Sequence, residues 1–186
     1  MSSLQKFHRR TMSLGPNGPS DLVTSTATMG DGSGDATHGF YLGGFSDGNK
    51  MYVAPSSTES LLWWGSTGIV RGTTLVNNGL ANTNTLYSFG SSRTTGHPVA
   101  YYCKTLTLGG YNTWYLPAIN ELVTMYSNQH KTPFATSNGF IGDYYWASTE
   151  GSDVQAWWLR MNNGNKAGTL GKTLNYYYRA IRRSTV

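Results

Sequence analysis

An α+β fold, with helices packed on twisted and mainly antiparallel sheets, is what this chain of 186 residues predicts. Three observations carry that prediction. Two strand-like runs flank an Asp-Gly turn within residues 39–54, one helix of clear 3.6-residue period begins abruptly at Pro117, and three further strand-like runs follow with no helix between them. Helices set beside runs of strand, rather than alternating with them, define the α+β class.

The composition fits one domain plus an appendage. Apolar residues make up 38% and aromatics 13%, so large rings do much of the burying. Charged residues are only 12%, about half the usual share, while Gly, Ser, Thr and Asn are plentiful. That is a loop-rich, β-leaning profile; a disordered chain carries more charge and fewer rings. No internal repeat is visible.

Residues 1–37 show little periodicity. GPNGP (Gly15–Pro19) is a cluster of turn residues and breakers, and STATMGDGSGDATHG (Ser25–Gly39) is small and polar. Such a stretch is either a flexible linker or an arm that orders only against a partner. On the second reading its basic residues Lys6, Arg9 and Arg10 and its apolar Phe7, Met12, Leu14, Leu22 and Val23 make an anchoring arm. Asp31, Ser33 and Asp35 alternate like the start of a calcium loop, but Ala36 and Leu42 stand where such a loop needs Gly and Glu.

The pattern then sharpens. Gly39–Phe45 and Lys50–Ala54 form a hairpin about Asp47-Gly48. Residues 56–93 make a long Ser/Thr/Asn/Gly stretch holding LLWWG (Leu61–Gly65) and a short helix near Gly79–Thr85. HPVAYYCKTLTLGG (His97–Gly110) is a first main helix, with Pro98 at its first position and paired glycines at its end. In WYLPAINELVTMY, Pro117 opens a second main helix. Ile119, Leu122, Val123 and Tyr126 make one apolar stripe, with Asn120, Glu121, Thr124 and Ser127 facing away. Strands follow at Tyr144–Ser148, Ala156–Met161 and Asn175–Arg182, the last two joined by the turn-rich NNGNKAGTLGK.

Several chemistries are excluded early. One cysteine, Cys103, permits no intrachain disulfide, and its apolar neighbours mark it as an inert buried thiol. His8, His38, His97 and His130 stand at turns or near a terminus, without a metal-ligand spacing, and His97 reads as a helix cap. Asp143, Glu150 and Asp153 are the candidates for a carboxylate pair, but Glu150 reads better as an acceptor for backbone or for an arginine such as Arg179. The net charge is +5, gathered at Lys6, Arg9 and Arg10 and at Arg179, Arg182 and Arg183 with no basic stripe between, which argues against nucleic acid. The first residues hold no apolar signal region, and no run is long enough to span a bilayer. The expectation is a cytosolically made, non-enzymatic protein without cofactor or metal.

WYLPAINEL, then YYWASTE, AWWLRMNNG and YYYRAIRR, in that order, resemble the bacterial and phage domains known as DUF1566. The resemblance covers about residues 38–183 and extends to the hairpin and the AYYC start of the first main helix. It implies a C-type-lectin-like fold with two helices on twisted sheets, long loops, and an extended arm before a domain at residues 38–186. On that fold Trp114, Leu116, Pro117, Leu122, Trp146, Trp157 and Arg179 form the structural core, with Trp146 and Trp157 on facing strands. The Glu-Pro-Asn and Trp-Asn-Asp triplets of calcium-dependent lectins are missing. The phage-borne versions imply a virion structural protein, a capsid decoration or a neck, tail or fibre component, present in several copies and bound to other virion proteins. The alternative is a receptor-binding or adhesive module gripping a host surface glycan or protein without calcium. Its ligand-facing residues are then Trp63 and Trp64, of which at least one belongs to the core, with Asn162, Asn163, Asn165 and Lys166.

Overall fold

A computed structural model describes residues 34–35, 39–45, 48–92, 95–130, 134 and 139–184. The anchoring residues Lys6, Phe7, Arg9, Arg10, Met12, Leu14, Leu22 and Val23, together with Asp47, His8 and His38, lie outside the described residues.

In chain order the elements are β1 (Gly34–Asp35), β2 (Gly39–Gly44), β3 (Lys50–Val53), β4 (Ser60–Trp63), α1 (Gly79–Tyr87), α2 (Pro98–Thr105), α3 (Ile119–Asn128), β5 (Tyr144–Glu150), β6 (Gln155–Arg160), β7 (Lys166–Gly171), β8 (Asn175–Tyr178) and β9 (Ile181–Ser184). The fold is α+β: among the described residues there are three helices and two sheets. One sheet runs β1-β2-β3-β9 and the other β4-β8-β5-β6-β7, antiparallel throughout except where β5 meets β8.

The hairpin forms where the sequence places it, with Phe40 opposite Val53 and Gly44 opposite Lys50. The first sheet begins at Gly34, upstream of the domain boundary expected at residue 38. Three helices stand where two main ones and a short one were expected, and α1 reaches two residues further, to Tyr87. Asn78 caps α1 by accepting from Ala81 N–H at 3.0 Å. Pro98 opens α2, but His97 makes no side-chain cap. Pro117 lies two residues before α3 rather than within it, and Ala118, the residue preceding the helix, has no side-chain acceptor to offer. Glu121 instead turns back to accept from Ala118 N–H at 2.8 Å. It is buried, against the expectation that it faces away, because it accepts from the Ala118 and Gly79 N–H groups, while Ile119 N–H finds Thr149 Oγ1 and Asn120 N–H the Val76 carbonyl.

Two sequence readings of strands change. The connection Asn162–Lys172 contains β7, an edge strand too rich in Gly, Thr and Lys to stand out, because it buries little. The run Asn175–Arg182 is two strands in different sheets. At the break, Arg179 Nε donates to the Ala54 carbonyl at 2.7 Å, and Ala54 N–H donates to the Ala180 carbonyl at 3.0 Å. The chain thus steps from one sheet to the other through a buried arginine.

The five-stranded sheet is packed on both faces, because alternate residues of a strand point opposite ways. Tyr145, Ala147 and Leu159 join Ile119, Leu122 and Met125 of α3 with Phe40 and Val53 of the first sheet. Trp146 and Ala156 join Val99, Ala100 and Cys103 of α2, Leu86 of α1, and Trp64, Trp114 and Leu116. Trp114, Leu116, Pro117, Leu122, Trp146 and Arg179 are all buried. Trp157 is half-buried at the core margin, and Trp146 lies across from Trp158 on the neighbouring strand rather than on a facing one. No helix among the described residues is long and apolar enough to cross a membrane.

Candidate functional site

Two buried carboxylates organise the surface that the long loop presents. Glu150, at the end of β5, accepts from Lys172 Nζ at 2.6 Å on one oxygen. Its other oxygen accepts from Arg71 N–H at 2.8 Å and Gly72 N–H at 3.0 Å. Lys172 is fully buried, donates also to the Asp153 carbonyl at 3.1 Å, and sits 4.9 Å from the Trp64 ring. Burial pulls its ammonium below the ordinary lysine range, opposed by the Glu150 hydrogen bond and charge. Of the two partners expected for Glu150, the backbone donors are found and the arginine is not: Arg179 pairs with Glu59 at 3.5 Å, while the cation on Glu150 is Lys172.

Beside this pair, Arg71 Nε donates to His97 Nε2 at 3.1 Å, and its Nη2 donates to the Thr95 carbonyl at 3.0 Å. The Arg71 guanidinium lies 3.9 Å from the Phe89 ring centroid. His97 is buried; desolvation, reinforced by Arg71 and Lys172, pushes its imidazole down to about 3, so it is neutral at ordinary pH. A side-chain carbon on Gly65 would overlap this imidazole, which is why LLWWG ends in glycine.

The loop between Gly65 and Asn78 is pinned by its backbone. Thr73 O accepts from Glu150 N–H at 2.9 Å, Leu75 O from Thr149 Oγ1 at 3.0 Å and Asn82 Nδ2 at 2.7 Å, and Val76 O from Asn120 N–H at 2.9 Å. Its apolar side chains Ile69, Val70, Leu75 and Val76 all remain exposed, Val70 by 61%. A loop whose backbone is tied down while its apolar side chains face water is a presented surface.

The second carboxylate, Glu121, uses the same arrangement. One oxygen accepts from Ala118 N–H at 2.8 Å and Gly79 N–H at 3.1 Å, the other from Arg183 Nη2 at 2.9 Å and Tyr115 Oη at 3.2 Å. Burial pushes its carboxyl above the ordinary range, opposed by the Ala118 N–H and the Arg183 guanidinium. Gly79 is required here, since a side-chain carbon would lie 2.5 Å from Glu121 Oε2 and the Leu116 carbonyl. An open cavity of about 390 Å³ lies over this pair, walled by Phe45, Asn77, Asn120 and Thr124. Asn120 donates to Asn77 Oδ1 at 2.7 Å across it. Its rim is the Phe45 ring together with amide and hydroxyl groups, and its floor is the Glu121–Arg183 pair.

Of the predicted ligand-facing residues, Trp64 is fully buried and donates to the Ala147 carbonyl at 2.7 Å, so it is core and not surface. Trp63 is half-buried at the end of β4. Asn162, Asn163 and Asn165 are exposed in the turn from β6 to β7, where Asn163 Oδ1 accepts from Asn165 N–H at 3.0 Å, and Lys166 is exposed as the first residue of β7. Sequence reasoning missed Ile69, Val70, Leu75 and Val76; their signal is four apolar residues without period in a polar loop. Among the described residues no group of three or more His, Cys, Asp or Glu side chains is placed to hold a metal ion.

No curated protein matches the chain. The sequence profile of the Lcl C-terminal domain family, a DUF1566-like family, matches residues 56–182, from the turn before β4 into β9, and so spans the presented loop, Glu150 with Lys172, and Glu121, ending one residue before Arg183. The chain belongs to the Lcl C-terminal domain family.

Proposed function

We propose that this chain is a non-enzymatic virion structural protein of phage-borne type, in which residues 1–37 anchor a C-type-lectin-like domain, residues 38–186, to a capsid, neck or tail. The observation that carries this reading is the loop from Gly65 to Asn78, whose backbone is held by buried acceptors and donors while Ile69, Val70, Leu75 and Val76 face outward. A display domain needs a contact surface that does not take part in its own folding. The buried carboxylates support the non-enzymatic part, since Glu150 and Glu121 are each occupied by a cation and two backbone donors. Gly34 and Asp35 pair with β2 at the edge of the first sheet, so the described part of the chain begins at an edge, where an arm can join without crossing the core. On this reading the protein is made in the host cytoplasm, incorporated in several copies and bound to other virion proteins.

A second reading, an adhesive module for a host glycan or protein without calcium, is favoured by the amide-lined cavity at Asn77 and Asn120. Quantitative mass spectrometry of purified particles tests the choice. A copy number near that of the major shell protein makes the chain a capsid decoration, and a small fraction of it makes a neck, tail or fibre component. Absence from particles overturns the virion reading and leaves the adhesive module.

A further inference from the structure

One face of the five-stranded sheet is covered only in part. Its inner end, at Trp146 and Tyr178, packs against Val99, Ala100 and Cys103 of α2. Its outer end carries a row across four strands: Leu62 on β4 opposite Tyr176 on β8, then Tyr144 on β5 opposite Arg160 on β6. Trp158 backs the row from β6, with ring centroids 4.8 Å from Tyr144 and 72° between planes. Tyr176 lies 5.1 Å from Tyr144 at 53°. All five are half-buried. The Arg160 guanidinium sits 5.1 Å over the Tyr144 ring, its Nε has no hydrogen-bond partner, and no carboxylate among the described residues pairs with it.

We infer that this row is a docking groove for the segment Gly15–Asp21 (GPNGPSD) of the same chain, which carries a Pro-x-x-Pro spacing. Three features select that occupant. Rings meeting edge to face leave a stepped, aromatic-lined surface of the kind on which Pro-x-x-Pro segments dock. Pro16 and Pro19 are three residues apart, about 9.3 Å in a polyproline II helix. Tyr176, Tyr144 and Trp158 stand on three adjacent strands, so they span about 9.6 Å. Asp21, two residues beyond Pro19, is the one carboxylate within residues 1–30, and it meets the unpaired Arg160.

The tether reaches. From Asp21 to Gly34 an extended chain spans about 43 Å, while a domain of this size has a radius of gyration of about 15 Å. A tether of this length holds the segment at an effective concentration on the order of millimolar. A weak contact is therefore filled within one chain at micromolar protein. The inference goes beyond the anchoring role: it concerns the free chain, in which the segment is parked until a partner competes for it.

The test uses the full chain with Leu14→Cys carrying a nitroxide. Cys103 is 1% exposed, so the label goes to position 14. The readout is the Trp158 indole N–H signal, assigned with Trp158→Phe. Broadening that survives dilution, is lost in Pro16→Ala/Pro19→Ala and weakens in Arg160→Gln is the expected result. No broadening, or broadening indifferent to the two prolines, overturns the inference. So does broadening that disappears on dilution, which makes the occupant a second copy, or an unbroadened signal that an added oligosaccharide shifts, which makes the row a glycan platform.

Discussion

Glu150 and Glu121 are built alike and placed differently. Each gives one oxygen to two backbone N–H groups and the other to a cation. Lys172, the partner of Glu150, has a fully buried side chain, whereas the Arg183 side chain is 23% exposed beside an open cavity. Glu150 fastens a loop to a sheet; Glu121 fastens the first turns of α1 and α3 to each other. The pairing chemistry is common to both, so the difference in what lies around the cation decides the cost of losing either one.

The largest expected effect is therefore at Glu150. Glu150→Ala strands a buried ammonium and lowers stability by about 3–5 kcal/mol, read from urea unfolding. Glu150→Gln with Lys172→Met regains most of that loss; a double variant as unstable as the single one would break the account of Lys172. Glu121→Ala costs about 1–3 kcal/mol, because Arg183 turns outward and water enters the cavity to meet the freed N–H groups. Equal costs for the two carboxylates would remove the contrast.

His97 sharpens the comparison through pH. Its folded value of about 3 lies below that of the unfolded chain, so between roughly pH 6.5 and 3 the unfolded state binds more protons. Its contribution is complete above pH 6.5 and falls by up to about 1.4 kcal/mol per unit as pH drops. Unfolding of the parent and of His97→Gln across that range should converge at acid pH; parallel curves would mean that His97 titrates normally. The smallest effect on stability belongs to the presented loop. Ile69→Ser/Val70→Ser should change unfolding by no more than about 0.5 kcal/mol, while reducing the copies recovered on particles.

Much of the fold was legible where burial writes a period into the chain. The hairpin and the stripe Ile119, Leu122, Val123 and Tyr126 were of this kind. Legibility failed where a residue's neighbours are distant in sequence. Glu121 looked like a solvated helix position because its partners Gly79 and Arg183 lie far along the chain. Trp63 and Trp64 are indistinguishable by composition; only the Ala147 carbonyl on β5 and Lys172 just past β7 decide which one is core. β7 buries too little to show a pattern, and the change of sheet at Arg179 is set by the Ala54 carbonyl. For the site, Glu150 stood out as a carboxylate, but its lysine lies across two strands. The apolar residues of the loop follow no period, because they lie exposed rather than on one face of a helix or strand.

The step from β8 to β9 also bears on how the molecule comes into being. β9 closes against β3 with Lys50 opposite Ser184 and Val53 opposite Ile181, while β8 supplies the strand between β4 and β5. Both sheets therefore wait for the same short stretch, residues 175–184, before either has its full set of neighbours. On a ribosome the hairpin of β2 and β3 emerges early and has no third long strand until this stretch has been made. Pairings this far apart in sequence form slowly. Assembly of the domain is consequently a late and nearly simultaneous event, and a nascent chain stalled before residue 175 leaves two incomplete sheets rather than one finished half.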